Sequence, residues 1–125
     1  MCLSTQRYHM TAARDLCKSS GLKFYMLFSS ELLGAYKPAP ESYHKVLYPV
    51  KVKPEECVMV AAHAYDLRGA REAGMKTVYV HRWTDDIHGD VEIVKGENDF
   101  FLKNMINLEA SIARLKIKHT ATRLV

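Results

Sequence analysis

The sequence predicts a doubly wound α/β fold, in which helices pack on a parallel sheet. Three observations carry that expectation. The short and almost wholly apolar runs LKFYMLF (22–28) and CVMVAA (57–62) suit strands buried on both faces, and KTVYV (76–80) gives a further strand. Helix-compatible segments alternate with these runs. The connections are short and marked by turn and cap residues such as Gly21, Pro40, Asp66 and Gly74.

Taken in order, residues 5–20 carry Tyr8, Ala12, Ala13, Leu16 and Cys17 at approximate helical spacing and stop at Gly21, a common residue just past a helix end. The first strand follows over 22–28. Pro40 then opens a helix through Tyr43, Val46 and Leu47, since a proline in a first turn has no N–H bond to lose. Pro54-Glu55-Glu56 precedes the strand at 57–62, which leads through His63, Ala64 and Tyr65 to Asp66, expected to cap the helix LRGAREAG. Gly74 ends that helix and the strand at 76–80 follows. Residues 83–96 read as a polar loop, NDFF as an apolar island, and 108–115 as a last helix. No repeat, low-complexity tract or linker divides the chain. The expected organisation is one partial core domain over 1–113 and a loosely ordered basic tail over 114–125.

A chain of 125 residues with 48% apolar content is long enough for one domain with a core. No run approaches the roughly 20 apolar residues of a membrane span, and the first residues hold no signal-peptide core. A cytoplasmic protein is expected. Three cysteines, Cys2, Cys17 and Cys57, lack CxxC spacing and read as reduced thiols. The net charge of +4 comes from 18 Lys and Arg interleaved with 14 Asp and Glu, so a nucleic-acid partner is not indicated. Only the tail RLKIKHTATRLV is basic without an acid, and a frayed terminus accounts for it more readily than an anion-binding arm.

Three segments carry chemistry: Leu3-Ser4-Thr5, Lys37-Pro38 within AYKPAPESY, and His63 to Asp66. A hydroxyl beside helix N-terminal amides is a ready anion site, a lysine on a proline-held loop adds a point charge, and a carboxylate orients the lysine or a water. Together they describe a pocket for a small anionic substrate. Each residue also has a plainer reading. Ser4, Thr5 and Asp66 are helix-cap types, His63 can be a partly buried histidine on a backbone carbonyl, and Tyr43 can be core packing. His81, His88, His119 and His9 read as surface residues.

At LSTQ, ELLGAYKPAPESY, VMVAAHAYDLRGAREAGMKTVYVHRW and ENDFF the chain resembles the haloacid dehalogenase superfamily, in particular its 2-haloacid dehalogenase-like branch with relatives typical of fungi. The likeness runs from Met1 to Phe101 in the family's order. It implies a three-layer Rossmann-like core with a parallel sheet, here incomplete, with the first strand and the cap domain missing and residues 1–3 a remnant of the second strand. It also implies roles. Ser4 and Thr5 fall on the motif that binds the substrate's carboxylate or phosphate, Lys37 on the lysine that neutralises charge at the nucleophile, Tyr43 on a tyrosine near the active site, and Asp66 on the fourth-motif acid. His63 stands where many dehalogenases have asparagine, and Ala61 where several have serine.

The resembling enzymes attack with an aspartate in a DxxGT-like motif, forming an ester that water hydrolyses. This sequence contains no such motif, and of the candidates Asp85, Asp86, Asp90 and Asp99 none is expected to follow a buried strand. Magnesium-dependent members need several oxygen ligands, whereas AAHAYD supplies one acid, so neither a metal nor another cofactor is expected. Three readings follow in order: a C-terminal hydrolase fragment inactive alone, a non-catalytic anion-binding or interaction domain, and a working enzyme that is supplied with the nucleophile by another chain or uses a different residue, with homo-oligomers or a complementing chain as partners.

Overall fold

The computed structural model describes residues 2–5, 10–21, 26–86, 89–115 and 123–124. Strand β1 (Cys2–Thr5) pairs in parallel with β2 (Met26–Ser29), Leu3 opposite Leu27 and Thr5 opposite Ser29. Helix α1 (Met10–Ser20) makes the crossover that a parallel pair requires. Tyr8 and residues 22–25, which belong to the expected first helix and strand, lie outside the described residues. Residues 1–3 were expected as a remnant; instead β1 is a paired strand that includes Ser4 and Thr5, because β2 offers it a full parallel ladder.

A one-turn helix, α2 (Ser30–Leu33), follows β2 and has no counterpart in the apolar pattern. It is made by its ends. Ser29 Oγ accepts the Leu32 N–H at 3.2 Å, and Gly34 closes the turn at φ 60°, where a side chain is disfavoured. Helix α3 (Pro40–Val50) starts at its proline as expected and buries Ser42, Tyr43, Val46 and Leu47, an i, i+3, i+4 stripe. A 3-10 turn (Pro54–Glu56) then feeds β3 (Cys57–Ala61), α4 (Ala64–Glu72) and β4 (Lys76–Val80). The remaining elements are α5 (Val91–Glu97), β5 (Phe100–Leu102), α6 (Leu108–Arg114) and β6 (Arg123–Leu124).

The segment 83–96, expected as a loop, therefore ends in a helix. Asp90 caps it, accepting the Glu92 N–H at 2.9 Å, and Val94 anchors it in the core. One buried side chain in seven residues leaves too faint a period to read in sequence.

Strands β3, β4, β5 and β6 form a second parallel sheet in the order β5-β4-β3-β6. Its strands alternate with period two, as the pleat demands. Cys57, Met59, Tyr79 and Phe101 point to one face, where Leu47 of α3, Leu67 and Ala70 of α4 and Val94 of α5 cover them. Val58, Val60, Val78, Val80, Phe100 and Leu102 point to the other, covered by Leu108 and Ile112 of α6. Helices on both faces make the doubly wound, three-layer arrangement that the alternating sequence predicts.

Helix α3 joins the two sheets. Tyr43 and Leu47 pack with β3 and β4, while Val46 and Val50 pack with Phe28 and Met26 of β2. No ladder connects β1 to β3; the edge of β3 away from β4 is taken at Cys57 and Val58 by β6. The tail expected to be loose thus includes a strand pair, since an open parallel edge presents unbonded N–H and C=O groups to any extended segment. Its residues 116–122 and 125 lie outside the described residues. Among the described residues, no helix is long and apolar enough to cross a membrane.

Candidate active site

The segment after β2, in one sheet, and the segment after β3, in the other, meet beside α3, which packs on both sheets. Lys37 comes from the first and Asp66 from the second. Lys37 Nζ donates to Asp66 Oδ2 at 2.9 Å, with the two side chains only 9% and 11% exposed. Lys37 is joined to Pro38 by a cis peptide bond. Its ammonium also lies 5.9 Å from the centre of the Tyr43 ring.

Tyr43 completes the cluster from α3. Its hydroxyl lies 2.7 Å from Asp66 Oδ1 and 2.8 Å from the Asp66 carbonyl oxygen, one proton shared between two acceptors. Burial first, and then the hydrogen bond and negative charge of Asp66, push the phenol well above its ordinary range. Tyr43 is at once part of the core and a member of the Lys37–Asp66 cluster, so the two readings of it describe the same side chain.

Backbone shape permits this convergence. A Cβ on Gly69, in the middle of α4, would stand 2.6 Å from the Pro38 carbonyl oxygen and 2.8 Å from the Tyr43 hydroxyl. Only a glycine lets α4 approach the Lys37 loop and α3 this closely. A glycine inside a helical pattern is a signal of close approach, and LRGAREAG contains one at this position.

Asp66 does not cap its helix. The helix begins at Ala64 with His63 in the N-cap position, which places Asp66 in the first turn, facing Lys37. The cap comes from Asp86, 22 residues on: its Oδ2 accepts the Ala64 N–H at 2.6 Å and the Tyr79 hydroxyl at 3.4 Å. Burial, and secondarily Asp86, raise the Tyr79 phenol above its ordinary range. Asp86 Oδ1 lies 3.6 Å from His63 Nδ1, and the His63 ring stacks on Tyr65 at 5.5 Å. His63 therefore faces a carboxylate and a ring, where a backbone carbonyl was the plain expectation. Nothing in the local pattern around Asp86 marks it, since its partner is chosen by the meeting of two strand ends.

Ser4 and Thr5 sit at the C-terminal end of β1, within the strand, and their side chains lie outside the described residues. His81, expected at the surface, is half-buried against Phe101, and its Nδ1 is buried without a hydrogen-bond partner among the described residues. The packing of β5 beside β4 draws it in. His9, His88 and His119 lie outside the described residues.

Among the described residues, no three His, Cys, Asp or Glu side chains gather to hold a metal ion. A hard divalent cation takes several oxygen ligands, whereas both Asp66 oxygens already meet a donor and the lysine ammonium stands where such a cation would compete. These residues do not fit a magnesium site. A groove along α4 and α5, lined by Arg68, Arg71, Glu97 and Asn98, contains none of the candidate residues.

Similarity to known proteins bears on this geometry. The profile of the haloacid dehalogenase-like hydrolase family matches residues 3–80. A glyceraldehyde 3-phosphate phosphatase of Pyrococcus furiosus is 42% identical over 57 residues, which are 45% of this chain and 24% of that protein. Pyrophosphatase PpaX of Anoxybacillus flavithermus is 39% identical over 72 residues, 58% of this chain and 32% of that one. Among solved structures, an L-2-haloacid dehalogenase superposes with a TM-score of 0.73 at 26% identity, over 86% of this chain and 49% of its own. The chain thus spans 24% to 32% of the length of these curated relatives and 49% of that solved structure.

Proposed function

The chain belongs to the haloacid dehalogenase-like hydrolases, and on that premise we propose that it forms the charge-stabilising half of a hydrolase site for a small anionic substrate, a 2-haloacid in the first instance. The single observation behind this reading is the buried Lys37–Asp66–Tyr43 cluster, formed where the segments that follow β2 and β3 meet α3. In the proposed reaction an aspartate from outside residues 1–125 displaces halide to form an ester, which water then hydrolyses. Lys37 neutralises the charge of the attacking carboxylate and of the substrate, while Asp66 and Tyr43 hold the lysine in place. Ser4 and Thr5 bind the substrate carboxylate, and His63 borders it. Without that aspartate the chain is inactive. A lysine paired to one carboxylate, with no set of oxygen ligands among the described residues, favours dehalogenation over metal-assisted phosphoryl transfer.

A second substrate reading, a phosphate ester, is favoured by the names of the curated relatives, which are a phosphatase and a pyrophosphatase. The alternative outside enzymology is a non-catalytic anion-binding or interaction module, for which a stable, monodisperse chain that stays inactive when completed would speak.

Joining an upstream segment with an aspartate-bearing DxxGT-like strand is expected to generate hydrolysis of 2-chloropropionate, and Lys37→Ala to abolish it. Because Lys37→Ala also strands a buried carboxylate, at a cost of about 3–5 kcal/mol, the paired variant Lys37→Met with Asp66→Leu serves as the folding control. Turnover unaffected by loss of Lys37 rejects the role. Turnover of a phosphate monoester in place of the haloacid selects the second reading.

A further inference from the structure

We propose, resting on the hydrolase reading above, that His63, oriented by Asp86, presents its Nε2 lone pair as the proton acceptor of this site, and that Asp66 is the structural partner of Lys37. Each Asp66 oxygen already has a donor, Lys37 Nζ at 2.9 Å and Tyr43 OH at 2.7 Å, so a water activated there must first displace one of them. Asp66 is also nearly closed to solvent, its side chain 11% exposed against 42% for His63. Proton transfer needs a group that water can reach.

His63 is held on two sides. The Tyr65 ring covers a face of the imidazole at 5.5 Å, and Asp86 Oδ1 faces Nδ1 at 3.6 Å, ion-pair range that is longer than a hydrogen bond. Asp86 is itself fixed, its other oxygen bonded to the Ala64 N–H at 2.6 Å and its backbone held at φ 49°, with its carbonyl accepting the Gly89 N–H at 2.7 Å. A carboxylate at Nδ1 favours the tautomer with the proton there, which leaves the lone pair on Nε2. Nε2 makes no hydrogen bond with any described residue. Asp86 is thus a positioning residue that acts through His63, and among the described residues the charged or titratable groups in contact with the ring are Asp86, Tyr65 and, through Asp86, Tyr79.

Bromoacetate tests this on the chain as it stands, at about pH 8, where an ordinary imidazole is neutral. The Nε2 lone pair attacks the methylene carbon, the N–C bond forms, the C–Br bond breaks, bromide leaves with its electron pair, and the surplus ring proton goes to solvent. Peptide mapping separates His63 from the cysteines and from His44, which is exposed on α3. The expected result is alkylation of His63 at Nε2, faster than at His44. Asp86→Asn, which keeps an acceptor for the Ala64 N–H, is expected to slow it by about threefold, the size of one weak polar contact, and to shift the product toward Nδ1. Imidazole nitrogen shifts of the unaltered chain give a readout that needs no variant, with His63 in the Nδ1–H form.

An Nε2–H tautomer, or the same rate and product in Asp86→Asn, overturns the proposal. Neutral bromoacetamide separates it from the reading beneath it. Equal labelling by the two reagents, still at Nε2 and still dependent on Asp86, upholds the orientation of His63 and rejects the anion pocket.

Discussion

Tyr43 shows how much one side chain decides. Its ring fills the core between α3 and β3, and its single hydroxyl proton is divided between the Asp66 carboxylate and the Asp66 carbonyl. The folded phenol holds its proton to higher pH than an unfolded one, whose ordinary value is about 10. Above that pH the unfolded chain binds fewer protons than the folded chain, so stability falls as pH rises. Tyr79 adds to the fall in the same direction. Tyr43→Phe is expected to lower stability by about 1–3 kcal/mol near neutrality, since Asp66 loses a buried donor, and to flatten the loss between about pH 9 and pH 11. Urea midpoints for both proteins across that range check both parts. An equally steep alkaline loss in the variant would show that Tyr43 is not its source.

At the scale of elements, Gly69 is where packing opposes propensity. Glycine in a helix interior is worse than alanine by about 1 kcal/mol, so Gly69→Ala in an isolated α4 gains stability. In the folded protein the new methyl meets backbone at Pro38 and the Tyr43 hydroxyl, neither of which is the free end of a flexible chain. The variant is therefore expected to lose about 1–3 kcal/mol, as overpacked sites do, and to pull Lys37 away from Asp66. Thermal unfolding gives the sign directly, and a stabilised variant would mean that α4 has room the geometry denies. Helices α2 and α5 carry a related lesson. Each is short and capped by a side chain, Ser29 or Asp90, and neither has enough buried positions to announce itself by period.

At the scale of the whole molecule, the described residues form two parallel sheets held by α3, with the Lys37–Asp66–Tyr43 cluster where the segments after β2 and β3 meet that helix. Strand β6 lies on an edge of β3 that would otherwise offer its backbone groups at Cys57 and Val58 to another strand. A chain ending at Leu115 is expected to keep both hydrophobic clusters around β3 and β4 yet self-associate more than the full chain as concentration rises. Light scattering after size exclusion measures this, and identical masses for the two chains at every concentration would remove the protective role of β6.

The sequence by itself determined the alternation of strands and helices and the start of α3 at Pro40, and it singled out Lys37 and Asp66 at loop ends, while Tyr43 entered through the family resemblance. The features read from the residues are written locally, in runs of apolar residues with period two or 3.6, in a proline at a helix start and in a lysine set beside prolines. Tertiary structure alone decided that Asp86 caps α4 in place of Asp66, that Ser4 and Thr5 belong to a strand, that His81 turns inward, and that the end of the tail lies on β3. Each of these depends on which strand ends and edges meet. Such meetings join residues far apart in the chain, and local periodicity carries no record of them.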